Sequence, residues 1–434
     1  MIKVSKKQIF DFAKSIWSYN RSLTGEGVNK TLNKIKSQCK SLKIIKIKSN
    51  SKVFDWKIPL VWKVKDAFIL DPEGNKICDF KENNLHLMGY SDKKKGYISL
   101  KNLKKKLHSN PSQPKAIPYV TSYYKKNWGM CIDHNSKKKL KEGRYFVSIN
   151  TSFKKGNLNI GEIKIRGKYK KEILLSTYIC HPSMANNEIS GISVLTFIAK
   201  FLLSKKNKFS YRLLFMPETI GSIAYIQREI KTLKKNIIAG YIITCIGDER
   251  NYSYLKTKTG NSISDKIAIS TLKNINKKYK IYDWLKRGSD ERQFNSPGVD
   301  LPIGSLMKSK YGTFPEYHTS LDKLGSVVTP KGLYDGFNLV KKVIQSFENK
   351  IYPKSVYKCE PNLGKRNLYH TISKKSGKIG VNIKNEHMNY LNFLSWSDGK
   401  NSLEDISVKT NISLEKTKSI YKILTRKGLV TDVD

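Results

Sequence analysis

The chain has no C-x-x-C pair: its six cysteines, at 39, 78, 131, 180, 245 and 359, are scattered. That excludes a cysteine-built zinc site and argues against a disulfide framework, so the thiols are expected to be reduced and mostly structural. No apolar run reaches the about 18 to 20 residues that span a bilayer, and the N-terminal MIKVSKKQIFDFAKS lacks the apolar stretch of a signal peptide. A cytoplasmic protein with no membrane partner is the expectation. Acidic residues are also scarce, 35 against 82 basic ones, for a formal charge of +47. Such an excess ordinarily points to a polyanion, because a basic surface gains from counterion release. Arginine is scarce as well, ten of the 82, and bidentate recognition of phosphates and bases relies on arginine. Lysine together with abundant asparagine and isoleucine is what AT-rich codons produce. The charge is therefore read as compositional drift before function, with nucleic-acid binding kept as an alternative.

What is present is a globular composition, 39% hydrophobic over 434 residues, long enough for two or three domains. Helical spacing runs from Lys6 to Tyr19 and from Lys30 to Cys39 around the turn-rich RSLTGEGV, and LKIIKIKS (42–49) alternates as a strand. Short strands and turns occupy 53–158. From 159, apolar strands alternate with helices: the almost continuous run in KKEILLSTYICHP, a helix over 192–203, YRLLFMP, a helix over 222–233, and IIAGYIITCI. This alternation predicts a three-layer α/β domain over 1–52 and 159–352, interrupted by a β-rich unit at 53–158. After 353, three helical segments and a short LVTDV predict a winged helix over 353–434. Ser402 and Ser413 are its expected N-caps, and Gly428 its C-cap.

Three successive strand ends deliver polar groups to one rim, the edge where open α/β sheets bind ligands. His181 follows the first, in HPSMANNEISG; Glu218 follows the second, in FMPETIGS; Asp248 follows the third, in CIGDER. A lone histidine there is as often packing as function, but the coincidence of three ends is not explained by packing. Asn187 and Glu188 precede a helix. Glu188 reads equally as a metal carboxylate or as an ordinary helix N-terminal acid. The loop KRGSDERQFNSPGVDLPIGS brings Asp290, Glu291 and Arg292, and FPEYHTSLDKL brings Glu316, Tyr317, His318 and Asp322. Arg21, Thr24 and Glu26, in the glycine-bounded loop, are candidates to reach the site or simply form a turn.

The order His, polar residues with SG, Glu with GS, Asp, SD, then YHT and Asp resembles the co-catalytic zinc aminopeptidases, whose pattern runs HxD, NDNxSG, EExGxxGS, Asp, SDH and YHTxxD. The resemblance narrows further. SLTGEGV, VFDWKIPLVW, IPYVTSYYKKNWGMCIDHN and LGKRNLYHTIS, together with the motifs above, are similar over nearly the whole chain to the aminopeptidase-like proteins often encoded in bacterial surface-polysaccharide gene clusters. It implies a zinc-exopeptidase-like domain with a mixed central sheet, an inserted small β domain and a winged helix. It also implies His181, Asp248 and His318 as zinc ligands, Glu188 as a substitute carboxylate, and Glu218 as general base or second carboxylate. Asn187, Asp290, Glu291, Arg292, Glu316, Tyr317, Asp322 and Glu26 would support substrate or ligands, Asp322 by orienting the His318 ring. The departures matter: Asn187 stands where a bridging aspartate is expected, a second carboxylate beside Glu218 is missing, and Pro-Ser follows His181. Each removes negative charge that two divalent cations would need, so one zinc is expected rather than two. The implied function is metal-dependent hydrolysis of an amide, in a peptide or an N-acylated small molecule, by a chain that can form a homo-oligomer. The alternatives are a catalytically weak relative that binds a ligand or partner, and a DNA-binding regulator acting through the winged helix.

Overall fold

Ile173–Tyr178 is buried without interruption, and this apolar run becomes a strand near the middle of an eight-stranded sheet. The computed structural model describes residues 2–275, 278–369 and 386–432. In spatial order the strands are Lys43–Lys48, Asn157–Ile165, Phe209–Met216, Tyr169–Tyr178, Ile237–Ile243, Ile303–Met307, Tyr252–Leu255 and Tyr279–Tyr282. The four from Phe209 to Met307 in that order are mutually parallel, and antiparallel pairings flank them, so the sheet is mixed. Helix Ser190–Leu203 links Tyr169–Tyr178 to Phe209–Met216, and helix Ile220–Asn236 carries the chain back across to Ile237–Ile243. These crossovers run in opposite directions, so their right-handedness puts the two helices on opposite faces, giving three layers. Helices Lys6–Ile16 and Glu26–Gln38 join the Ser190–Leu203 side.

The second helix begins four residues earlier than its apolar spacing suggests. Gly25, at φ 112°, supplies the left-handed turn before Glu26, so the turn-forming GEG opens the helix instead of preceding it. Between 52 and 154 the chain leaves the large sheet. Strands Val61–Leu70, Lys76–Asp79, Lys94–Ser99 and Arg144–Lys154 form an antiparallel sheet in the order 76–79, 61–70, 144–154, 94–99. A loop from this region is stitched to the segment carrying His318. Tyr119 N–H donates to His318 O (2.9 Å), Ser320 N–H to Ile117 O (2.9 Å) and Ile117 N–H to Ser320 Oγ (3.0 Å).

A second unit, Gln345–Asp434, has its own core of Phe393, Ile406, Ile420, Leu424 and Leu429 under helices Glu386–Ser395, Leu403–Thr410 and Leu414–Arg426. Strand Val430–Asp432 pairs with Pro353–Ser355 to make its β-ribbon. Ser402 and Ser413 cap their helices by accepting from Asp405 N–H and Lys416 N–H, and Gly428 takes φ 67°. The last four residues of LGKRNLYHTIS, 370–373, lie outside the described residues. No helix among the described residues is long and apolar enough to cross a membrane.

The helix that follows the His181 loop sits hard against the sheet. A Cβ on Gly191 would stand 2.5 Å from Ile243 O and 2.5 Å from Thr177 Oγ1. Gly191→Ala should therefore cost about 2 kcal/mol, the usual size of an overpacking penalty. Urea unfolding followed by tryptophan fluorescence measures it, and a loss below about 0.5 kcal/mol, the scatter of neutral surface changes, would contradict this seating.

Candidate active site

The site grows from the end of the central strand. After Tyr178 the chain runs through Cys180 to His181, turns at Ser183 (φ 42°), and makes a single π-type turn over Ala185–Ile189 before helix Ser190–Leu203. That turn folds Glu188 back under the loop it follows. Glu188 Oε2 accepts from Cys180 N–H (2.9 Å), from His181 N–H, and from His181 Nδ1 (2.8 Å), while Oε1 accepts from Arg21 Nε (2.7 Å). Arg21 Nε also reaches His181 O (3.0 Å), and both charged side chains are wholly buried. Glu188, expected as a metal carboxylate, is thus fully engaged by four donors. It acts instead as the partner that accepts the His181 Nδ1–H hydrogen bond and leaves Nε2 facing the cavity, the arrangement that commonly orients a metal-binding imidazole.

His318 faces His181 with ring centroids 5.2 Å apart. Its ring stacks on Tyr317 at 3.9 Å, its backbone is left-handed (φ 56°), and Tyr119 wedges beside both imidazoles at 5.3 and 5.2 Å. The His318 Nε2 atom is buried and bonds to no partner among the described residues. Burial, and after it the neighbouring His181, pushes the His318 pKa down to about 3, so its imidazole is neutral. Burial also disfavours charge on His181, but Glu188 outweighs it and the net shift is upward.

Glu218 Oε2 lies 3.9 Å from His181 Nε2, and Oε1 accepts from Ser289 Oγ (2.7 Å). Burial raises the proton affinity of Glu218, against the pull of His181. The next residue, β-branched Thr219, sits at φ 64°, a strained conformation held by Asp290 Oδ1, which accepts from Thr219 N–H (2.8 Å) and Ser222 Oγ (2.7 Å). Burial, then the charge of Glu218, lifts Asp290 to about 7. Glu291 accepts from Gly288 N–H, Ser289 N–H, Tyr311 OH and Ser305 Oγ, all within 2.7–2.9 Å, and so fixes the loop that carries Ser289. Arg292 donates to Thr219 Oγ1 (2.8 Å). A cavity of about 490 Å³ is walled by Cys180, His181, Glu218, Arg292 and His318 from the α/β part, and by Trp56, Tyr119, Tyr123 and Tyr124 from the β-rich part.

Other expected residues lie elsewhere. Asp248 is not in the wall: its oxygens accept from Arg250 N–H (2.8 Å), Ser309 Oγ (3.1 Å), Asn186 Nδ2 (2.8 Å) and Ser309 N–H (3.0 Å), which makes it a loop brace and not a free ligand. The residue directly at that strand end is Thr244, whose Oγ1 lies 2.6 Å from Tyr178 OH and 2.9 Å from Asn187 O. Asn187 is fully buried, with Oδ1 accepting from Tyr178 OH (3.0 Å). Asp322 does not orient the His318 ring. It accepts from Asn186 N–H (2.7 Å) and Asn187 N–H (2.9 Å) and pins the π-type turn. Glu316 pairs with Arg250 (2.8 Å). Glu26 is an exposed helix residue paired with Lys30 (2.8 Å), because its position at the start of the helix turns it to solvent; from its loop, Leu23 lines the cavity and Arg21 reaches the buried Glu188.

Three groups able to bind a metal line this cavity, Nε2 of His181, Nε2 of His318 and the Glu218 carboxylate, but their ligand atoms do not all lie within 4.8 Å of one another. Cys180, His181 and Glu188 stand closer to one another, within 4.8 Å, but they fit a metal worse. Glu188 is spent on Arg21 and the backbone, and burial holds the Cys180 thiol protonated. The aromatic wall and Ser289 escaped the sequence reading. The wall's signals were the tyrosine-rich IPYVTSYY and, for Trp56, the VFDWKIPLVW motif.

Residues 10–350 match the model of a domain of unknown function (DUF4910), and residues 350–432 that of a winged helix-turn-helix. A Clostridium acetobutylicum protein named for polysaccharide biosynthesis and an aminopeptidase-like domain is 43% identical over 98% of this chain and 96% of its own length. A crystal structure from the same organism, assigned by name to the peptidases, is 41% identical and superposes with a TM-score of 0.82 over 99% of this chain and 96% of that one. The zinc aminopeptidase BSAP from Bacillus subtilis shares the fold at 12% identity, with a TM-score of 0.56 over 80% of this chain and 96% of its own.

Removing one member of the buried Arg21–Glu188 pair strands the other charge, so Arg21→Ala should destabilise the chain by about 3–5 kcal/mol, whereas the exposed Glu26→Gln should stay within about 0.5 kcal/mol. Chemical denaturation of the two variants checks this, and near-equal effects would refute the assignment of Arg21 over Glu26.

Proposed function

Since the chain belongs to this aminopeptidase-like family, we propose that it is a single-zinc hydrolase that cleaves an amide at a peptide N-terminus or on an N-acylated amino sugar, in the cytoplasm and in the service of surface-polysaccharide synthesis. One observation carries the reading: the unpartnered Nε2 of His318 and the freed Nε2 of His181 share a cavity with a single carboxylate, Glu218. The two imidazoles would hold the ion, leaving the Glu218 carboxylate free to act as base. When bound, zinc polarises a carbonyl and lowers the proton affinity of water.

The protein's own groups then divide the work. Glu188 keeps His181 in the tautomer that presents Nε2, and burial keeps His318 neutral. Glu218, with its proton affinity raised by burial, is suited to take a proton from attacking water and return it to the departing amine. Ser289 holds one Glu218 oxygen, which leaves the other facing the cavity. Arg292 brings a fixed positive charge to the wall, where negative charge would develop on the carbonyl oxygen. Trp56, Tyr119, Tyr123 and Tyr124 line this volume with aromatic surface.

A ligand-binding relative without turnover is the second reading, and it rests on Asn187, Thr244 and Asp248: none of the three offers a free carboxylate to the cavity. Metal analysis and an amide screen separate the two. The hydrolase reading expects one zinc per chain, loss of that zinc in His318→Ala, and a loss of about 10²–10⁴ in turnover for Glu218→Gln in a folded protein. Metal-free protein of full stability, or turnover unchanged in Glu218→Gln, would sink it.

A further inference from the structure

The charged groups that face the active cavity are unequal in sign. Glu218 is the one acid among the described residues that wall it, and Arg292 adds a guanidinium to the same wall. Arg292 donates to the neutral Thr219 Oγ1 (2.8 Å) and has no ion-pair partner among the described residues. Its positive charge acts on both Glu218 and Tyr317, in each case opposing the upward push of burial on the proton affinity. The other acids nearby are spent. Glu188 holds Arg21 and the His181 loop, and Glu291 accepts from four donors. Asp290 is wholly buried, holds Thr219 N–H, and is not part of the wall.

This imbalance limits what can stand next to the scissile amide. In an aminoacyl substrate the α-ammonium lies roughly 2.5 Å from the carbonyl carbon, a distance fixed by the N–Cα and Cα–C bonds. Wherever the carbonyl meets the imidazoles, the ammonium comes with it. It then needs an acid of its own, because a charge taken out of water is tolerated only when paired. Glu218 is needed for the attacking water, and its other oxygen is bonded to Ser289 (2.7 Å). Aromatic faces also hold ammonium groups. Here, however, Tyr119 is packed against both imidazoles, and Trp56 and Tyr124 stand exposed at the mouth.

We infer that the cavity takes an N-acylated amine whose acyl group carries no ammonium, and that Arg292 is the residue that turns a free N-terminal aminoacyl group away. The inference rests on the hydrolase reading and selects between the two substrates it allows. Hydrolysis joins the oxygen of one water to the acyl carbon and breaks the C–N bond. The water proton passes through Glu218 to the departing nitrogen, which leaves a carboxylic acid and a primary amine.

Two arylamides that differ only in the α-amino group, alanyl and propionyl 7-amido-4-methylcoumarin, test this on the zinc-loaded full chain. Binding of the same two compounds is followed by saturation-transfer NMR. kcat/KM for the propionyl compound should exceed that for the alanyl compound by about 10²-fold, the size expected where like charges meet. Arg292→Gln should narrow that ratio about tenfold, and Arg292→Glu should narrow it further, in proteins whose unfolding midpoints match the parent. Alanyl turnover equal to or above propionyl turnover, or a ratio unchanged in both variants, would overturn the inference and leave the hydrolase reading standing. Tighter binding of the propionyl compound, lost in Arg292→Gln, with no turnover of either compound would overturn the hydrolase reading and leave the selectivity standing. Equal binding with no turnover would overturn both.

Discussion

Glu188 brings a carboxylate into the core at the edge of the central sheet, and several kcal/mol of lost hydration must be made good there. Arg21, 167 positions earlier, supplies the charge; Cys180, His181 and the His181 ring supply the hydrogen bonds. Everything nearby depends on this clamp. It ties the loop after the first helix to the end of the central strand, it draws the chain into the π-type turn over 185–189, and it fixes which nitrogen of His181 meets the cavity. Hydrogen bonding to a fully buried ion pair is strong in both directions: the satisfied network is rigid, and a partly satisfied one is costly.

The same economy underlies the proposal of one metal ion over two. Glu188 holds a loop, Asp248 braces Asn186 and Ser309, and Asp322 pins the turn through two amides. Three acids near the rim are thus committed to backbone, and Glu218 is left as the carboxylate that faces the two imidazoles. One carboxylate balances part of one divalent charge and cannot screen two such ions held close together. Around this reduced set, Ser183, Thr219, Cys245 and His318 all take positive φ. Their neighbours over-determine these conformations, as Asp290 does for Thr219, which is how strained backbone persists at sites built to hold groups in place.

His181, Glu218 and His318 were legible in the sequence because each sits where local rules operate: two directly follow strand ends, and the third lies in a distinctive YHT segment. The large sheet was legible for the same reason, since a strand buried on both faces reads as an unbroken apolar run. Asp248 was misplaced because its approach to the rim depends on the path taken after Ile243. The chain turns at Cys245 (φ 46°), so Thr244 meets the site residues and Asp248 is carried to Ser309. Asp322 was misread for a related reason: the left-handed turn at His318 sends the chain beneath residues 185–187 and away from the ring. Arg21 and Glu26 stand in one short motif, and only a pairing across 167 residues, invisible to spacing, decides which of them is buried.

The two parts of the first unit contribute different things to one cavity. The α/β part supplies the titratable groups, with His181 held by the Glu188 side chain and Glu218 by that of Ser289. The β-rich excursion supplies Trp56, Tyr119, Tyr123 and Tyr124, which determine volume and polarity. The division is not a separation, because Tyr119 both donates its amide to His318 O and packs against both imidazoles. A shift of the 117–124 loop would therefore move His318 as well as the wall. Shape and chemistry are coupled at that one residue, whereas Trp56 and Tyr124, farther out and exposed, can change what the cavity admits without disturbing the donors at its base.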